Sequence, residues 1–142
     1  MIIILLIVLD QAIKYFAVQT KPMATIIPRW LEIYYTENTG TAFGFAQGQN
    51  STLIVLSICI LLLVTIIFYL TTNRYDKIRF CWKAVLAGGI SNVLDRIIRG
   101  FVIDYIYIKP FGICNLADFM VVFGAIGLIF QTIMVIGTDE EA

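Results

Sequence analysis

Two aspartates stand where a strongly apolar chain tolerates charge least. Asp104 lies between Ile103 and Tyr105, and Asp118 opens another apolar run three residues after Asn115. An aspartate at mid-span in a bilayer costs on the order of 3 kcal/mol on insertion scales, so such residues need partners. Two carboxyls sharing a low-dielectric site resist joint ionisation, and one keeps its proton while the other does not. The ionised member can draw a proton from a water held between them, and the protonated member can donate to a carbonyl oxygen or a leaving amine. That is amide hydrolysis without metal, serine or histidine. Buried aspartates also serve proton-coupled transporters, and a four-helix transporter is the alternative reading. Pro110 and Gly112 lie between the two residues, in a segment long enough to bring the carboxyls together.

Further polar residues gather in three clusters. Asp10 and Lys14 are four apart, acid before base, which predicts a neutralised pair on one helix face that orients its helix or supports the site; Gln11 beside them can bind a neighbouring backbone. Asn38 and Gly40 have the composition of a plain turn, yet sit beside an apolar helix and offer an amide that both donates and accepts. Gly88, Gly89 and Ser91 permit close helix contact. After them Asn92 and Arg96 are one helical turn apart with Asp95 adjacent, so three polar heads are expected to converge near the end of an apolar helix. An Arg96 guanidinium there can hold a carboxylate or carbonyl; the structural alternative is a buried ion pair of Asp95 with Arg96 or with another helix. Asn115 and Asp118 are read as one turn apart on a single helix face.

These residues must be positioned by membrane helices. Of 142 residues 60% are hydrophobic and 14% charged, a membrane composition, and ten basic residues balance ten acidic ones, leaving no basic excess for nucleic acid. The absence of histidine excludes an HExxH metalloprotease and a Ser-His-Asp triad. Cys59, Cys81 and Cys114 are odd in number and dispersed, as small hydrophobes are, and neither metal nor cofactor is expected. The fold predicted is all-α: one integral membrane domain over residues 1–142, with four transmembrane helices at about 2–18, 53–70, 80–98 and 116–136. The first lacks a positive flank and a small-residue cleavage site and is read as a retained helix. Residues 19–52 form an extracytoplasmic loop region whose stretch 30–36, rich in aromatic and β-branched residues, predicts a strand or small sheet at the membrane surface. Residues 101–108 alternate imperfectly. An even number of spans puts both termini on one side, but the lysine and arginine counts of the loops leave that side open.

Five short stretches, in order, resemble the bacterial lipoprotein signal peptidase (signal peptidase II) family: Asp10-Gln11-x-x-Lys14, Asn38-x-Gly40-x-Ala42-Phe43, Gly88-Gly89 with Asn92-x-x-Asp95-Arg96, Val102-x-Asp104-Tyr105, and Asn115-x-Ala117-Asp118. The resemblance implies an intramembrane aspartic endopeptidase that cuts before the diacylglyceryl-modified cysteine of bacterial prolipoproteins and releases the signal peptide. Asp104 and Asp118 fall on its catalytic pair. Asn38, Asn92, Arg96 and Asn115 fall on residues that position substrate and pair, with Asp10, Lys14 and Asp95 in supporting places. It further implies the bacterial cytoplasmic (inner) membrane, both termini cytoplasmic, and a site near the extracytoplasmic face beneath a lid-like surface around Pro110. The expected partners are prolipoprotein signal peptides and membrane lipid, and the expected state is a monomer. Cys114 departs from the family, where a phenylalanine usually precedes the asparagine of the last motif.

Overall fold

The computed structural model describes residues 1–40, 47–71 and 76–139, which form four helices and one four-stranded sheet. Helix α1 (Ile2–Thr20) stops where Lys21 turns left-handed, φ 41°, and returns its N–H to Ala17 O at 2.9 Å. Strands β1 (Met23–Ile27) and β2 (Leu31–Asn38) follow, both rich in β-branched or aromatic residues. The chain then runs through α2 (Asn50–Thr71), α3 (Asp76–Arg99), β3 (Val102–Ile108), β4 (Gly112–Cys114) and α4 (Leu116–Asp139). Two expectations shift. Residues 76–79, read as loop, belong to α3. The β-rich region is not confined to residues 19–52, because β3 and β4 complete an antiparallel sheet of order β1-β2-β3-β4.

The sheet sets the height of Asp104. Across β2 and β3, Ile33 pairs with Ile106 but Thr36 with Asp104, so β2 carries one residue more than its partner in that interval. Side chains alternate along a strand, and such a bulge resets which of them share a face. Beyond it Asn38 pairs with Val102, which places Asn38 and Asp104 diagonally on the same face. The turn from α3 into β3 needs Gly100: its φ is 85°, a conformation costly for a residue with a Cβ, while its N–H closes the helix on Arg96 O at 3.1 Å. The chain reverses there, and Val102, Ile103, Asp104 and Tyr105 are all buried.

Helix α3 is central, with α1, α2 and α4 packed against it. Its approach to α4 is close: a Cβ on Gly88 would stand 2.3 Å from Ala117 O, and one on Gly124 would stand 2.8 Å from Cys81 O. Small residues that let backbones meet are how helices associate where no hydrophobic force separates helix from solvent. The distribution of polarity is inverted relative to a water-soluble domain. Ile4, Leu5 and Val8 on α1, Leu62 and Leu63 on α2, and Phe123, Ile126 and Phe130 on α4 face outward, while Asp10, Lys14 and Asp95 are fully buried. Among the described residues two helices, Ile2–Thr20 and Asn50–Leu70, are long and apolar enough to cross a membrane. Gly88→Ala should cost about 1–3 kcal/mol, the usual penalty of overpacking. Unfolding in detergent measures it, and an unchanged midpoint would contradict the close contact.

Candidate active site

The first turn of α4 assembles the site. A helix begins with four backbone N–H groups that have no partner within it, and buried ones must find acceptors elsewhere. Here side chains supply all four. Asn115 N–H donates to Asp118 Oδ2 at 3.0 Å, Leu116 N–H to the Tyr105 hydroxyl at 3.1 Å, Ala117 N–H to Asp10 Oδ1 at 2.9 Å, and Asp118 N–H to Asn115 Oδ1 at 3.0 Å. Asn115 and Asp118 thus form a reciprocal capping box. This corrects the expectation that both lie on one helix face: Asn115 precedes the helix and caps it. The Asn115 carboxamide then reaches Asp104, Nδ2 donating to Oδ1 at 2.6 Å. One residue therefore binds the backbone of Asp118 and the carboxyl of Asp104.

Two more asparagines complete the frame. Asn38 Oδ1 accepts from Gly40 N–H at 2.9 Å, which turns its Nδ2 onto Asp104 Oδ2 at 2.8 Å. Asn92 Nδ2 donates to Asp118 Oδ1 at 2.8 Å. Asp104 and Asp118 both line a cavity of about 80 Å3 that also touches Asn38, Asn92 and Arg96, with Val102 and Ile113 as apolar wall. A buried water needs a roomy site with two to four polar partners, and this cavity offers both. Burial, and after it the charge of Asp118, push the Asp104 carboxyl up from 3.8 to about 6, while the Asn38 and Asn115 donors and the Lys14 charge pull it back. Arg96 donates from one guanidinium nitrogen to Gly40 O; its other terminal nitrogen is buried beside the cavity and has no hydrogen-bond partner among the described residues. Ala42 and Phe43 of the second motif lie outside the described residues.

Asp95 does not converge on this cavity with Asn92 and Arg96. Its carboxylate takes Lys14 Nζ at 2.8 Å, Gln11 Nε2 at 3.0 Å, the Arg99 guanidinium and Ile103 N–H at 3.3 Å. Neighbouring residues on a helix point about 100° apart, and here that rotation sends Asp95 towards α1 and the start of β3. Of the structural alternatives, the pair with another helix is the one formed. Asp10 and Lys14 meet at 2.8 Å, both fully buried, and Ser91 Oγ donates to Asp10 Oδ2 at 2.6 Å. Gln11 donates to Ser91 O at 3.2 Å.

The geometry has counterparts among known proteins. A family model described as signal peptidase (SPase) II matches residues 2–134. The chain belongs to the signal peptidase II family. The lipoprotein signal peptidase of Chlorobium phaeobacteroides is 35% identical, with 88% of this chain and 83% of that protein aligned. That of Caldicellulosiruptor bescii is 38% identical over 101 residues, 70% of this chain and 65% of its own length. A solved bacterial membrane enzyme superposes with a TM-score of 0.81 at 26% identity, covering 94% of this chain and 85% of the other.

Four residues of this family member's polar frame escaped the sequence reading of the site. Ser91 was assigned to helix contact, yet binds Asp10. Gln11 was given only a backbone contact, yet also joins Asp95. Tyr105 stood inside a motif without a role; burial pushes its hydroxyl up to about 12, so it stays protonated while accepting from Leu116 N–H. Asn50 bridges the start of α2 to the end of α3, Nδ2 to Arg96 O at 2.9 Å. Cys114 donates weakly to Ile106 O at 3.4 Å, and burial raises the thiol to about 11. Tyr105→Phe strands the Leu116 N–H and should destabilise the protein by about 1–3 kcal/mol. Chemical unfolding in detergent checks this; equal stability would show that α4 does not depend on that cap.

Proposed function

We infer that this chain hydrolyses the peptide bond before the lipid-modified cysteine of bacterial prolipoproteins, with Asp104 and Asp118 as the reacting pair. Its membership of the signal peptidase II family supports the substrate class. The observation that carries the chemistry is that both carboxyls face one small cavity with Arg96, each held by asparagine amides and, among the described residues, neither in an ion pair. The pair shares one proton, and in the scheme below Asp104, raised by burial and by the Asp118 charge, is taken as the acid and Asp118 as the base.

In this scheme Asp118 takes a proton from the cavity water as its oxygen attacks the scissile carbonyl, and Asp104 gives its proton to the carbonyl oxygen. Collapse of the tetrahedral intermediate breaks the C–N bond, and the proton held by Asp118 passes to the leaving amine. As that bond breaks Asp104 takes one hydroxyl proton of the intermediate, leaving a carboxylic acid, an amine and a single proton on the pair. The Arg96 nitrogen that has no partner among the described residues is placed to bind a substrate carbonyl, and Asn38, Asn92 and Asn115 keep the carboxyls aligned. Asp10, Lys14 and Asp95 hold the helices that carry them.

The reading includes four membrane spans formed by α1 to α4, both termini in the cytoplasm, and a site near the extracytoplasmic face of the bacterial cytoplasmic membrane. The outward apolar surface and the likeness to a solved membrane enzyme support insertion. A monomer is supported by one chain supplying both carboxyls and all three asparagines. The relatives above are peptidases and lend the transporter reading no support.

Asp104→Asn and Asp118→Asn should each bind lipid-modified precursor and leave it uncut, losing a factor of roughly 100 to 10,000 in rate. Purified variants in detergent, assayed on lipidated precursor by gel shift, test this; either variant cleaving at the wild-type rate overturns the assignment of the pair.

A further inference from the structure

We infer that Lys14 is a positioning residue for Asp118: its ammonium fixes which way the Asn92 carboxamide faces, and thereby which of its ends meets the carboxyl. The inference rests on the peptidase reading, and it gives Lys14 a part beyond joining helices. An ammonium carries three N–H donors and no acceptor. Lys14 Nζ, fully buried, finds three acceptors, Asp10 Oδ2, Asp95 Oδ2 and Asn92 Oδ1, each at 2.8 Å. Two of these are carboxylates that balance its charge. The third is neutral, so it contributes direction more than charge compensation.

Turning the Asn92 amide over would set its NH2 against the ammonium and its oxygen against Asp118 Oδ1, two repulsive contacts in place of two attractive ones. Asn115 Nδ2 also approaches Asn92 Oδ1, at 3.2 Å, but it has two protons for three acceptors, since Ile103 O lies at 3.3 Å and Asp104 Oδ1 at 2.6 Å. Asp104 has first claim on it. Lys14 is thus the group that holds Asn92 in register, and Asn92 hands that polarity to Asp118. Without the ammonium the amide is free to rotate, and Asp118 loses its side-chain donor for part of the time.

A double-mutant cycle in single-turnover assays on lipidated precursor tests the coupling. Lys14→Gln should lower the rate about tenfold or more while changing precursor affinity little. In an Asn92→Leu background the same substitution should cost no more than about twofold, because the residue it acts through is gone. An equal loss in both backgrounds overturns the inference, since a direct effect of the ammonium's field on the carboxyls does not need Asn92. If Lys14→Gln alone does not fold, Asp10→Asn is added to every corner of the cycle to remove the uncompensated carboxylate. As a readout a structural role would not move, selective 15N-asparagine labelling should show the Asn92 side-chain amide protons strongly separated in wild type and averaged in Lys14→Gln. Identical amide signals in both proteins also overturn it. A wild-type enzyme that fails to cut lipidated precursor rejects the peptidase reading instead, so the two failures are distinct.

Discussion

The start of α4 lies against the interior of the protein, where an unpaired backbone N–H is expensive and where a helix in apolar surroundings has no water to fall back on. Four such groups are satisfied by four side chains drawn from α1, β3, the capping residue Asn115 and α4 itself. Much of the architecture follows from that requirement. Asp10 must reach Ala117, so α1 lies against α4 at this height; Tyr105 must reach Leu116, so β3 folds back under the helix; and Gly88 must lack a side chain for α3 to come near enough. Asp118 is held by the same box, which makes its position a result of folding and not of substrate binding. A helix N-terminus also favours nearby negative charge, which fits the role of base proposed for Asp118.

Charge is divided between two neighbouring regions. In one, Asp10, Lys14, Asp95 and Arg99 neutralise one another and join α1, α3 and the start of β3. In the other, Asp104 and Asp118 hydrogen-bond to amides, with the Arg96 guanidinium lining the same cavity. Amide N–H donors favour the ionised carboxyl as a cation does, but without adding charge, so burial and the neighbouring carboxyl still raise Asp104, which suits acid–base chemistry. Lys14 touches both regions, through Asp10 and Asp95 on one side and Asn92 on the other.

The two aspartates of the cavity were legible because charge in an apolar run is conspicuous, and the Asp10–Lys14 pair because its spacing matches a helical turn. The direction taken by Asp95 was not: Asn92 and Asp95 share a face within one turn's tolerance, and whether they point together depends on a partner some eighty positions away in α1. Asn115 and Asp118 show the limit of spacing alone, since three residues describe both a helix face and a capping box, and the difference lies in where the helix begins. Ser91 and Tyr105 carried no signal because a hydroxyl is unremarkable in sequence until its partner is known. Strand β2 could be anticipated from its aromatic and β-branched residues, but its pairing with β3 is non-local, and the bulge that aligns Asn38 with Asp104 leaves no mark on the composition.

The central claim is that the two carboxyls share one environment and one proton. Carbon-13 resonances of the side-chain carboxyls of labelled aspartates, followed through pH 3 to 9 in lipid nanodiscs, test it most directly. Burial and the Asp118 charge both raise Asp104, so it should titrate at about 6 in the wild type and at a lower pH in Asp118→Asn, where the neighbouring charge is gone. An Asp104 that titrates near the ordinary value of about 3.9 in both proteins would mean that the carboxyls do not sense each other, and the account would fail.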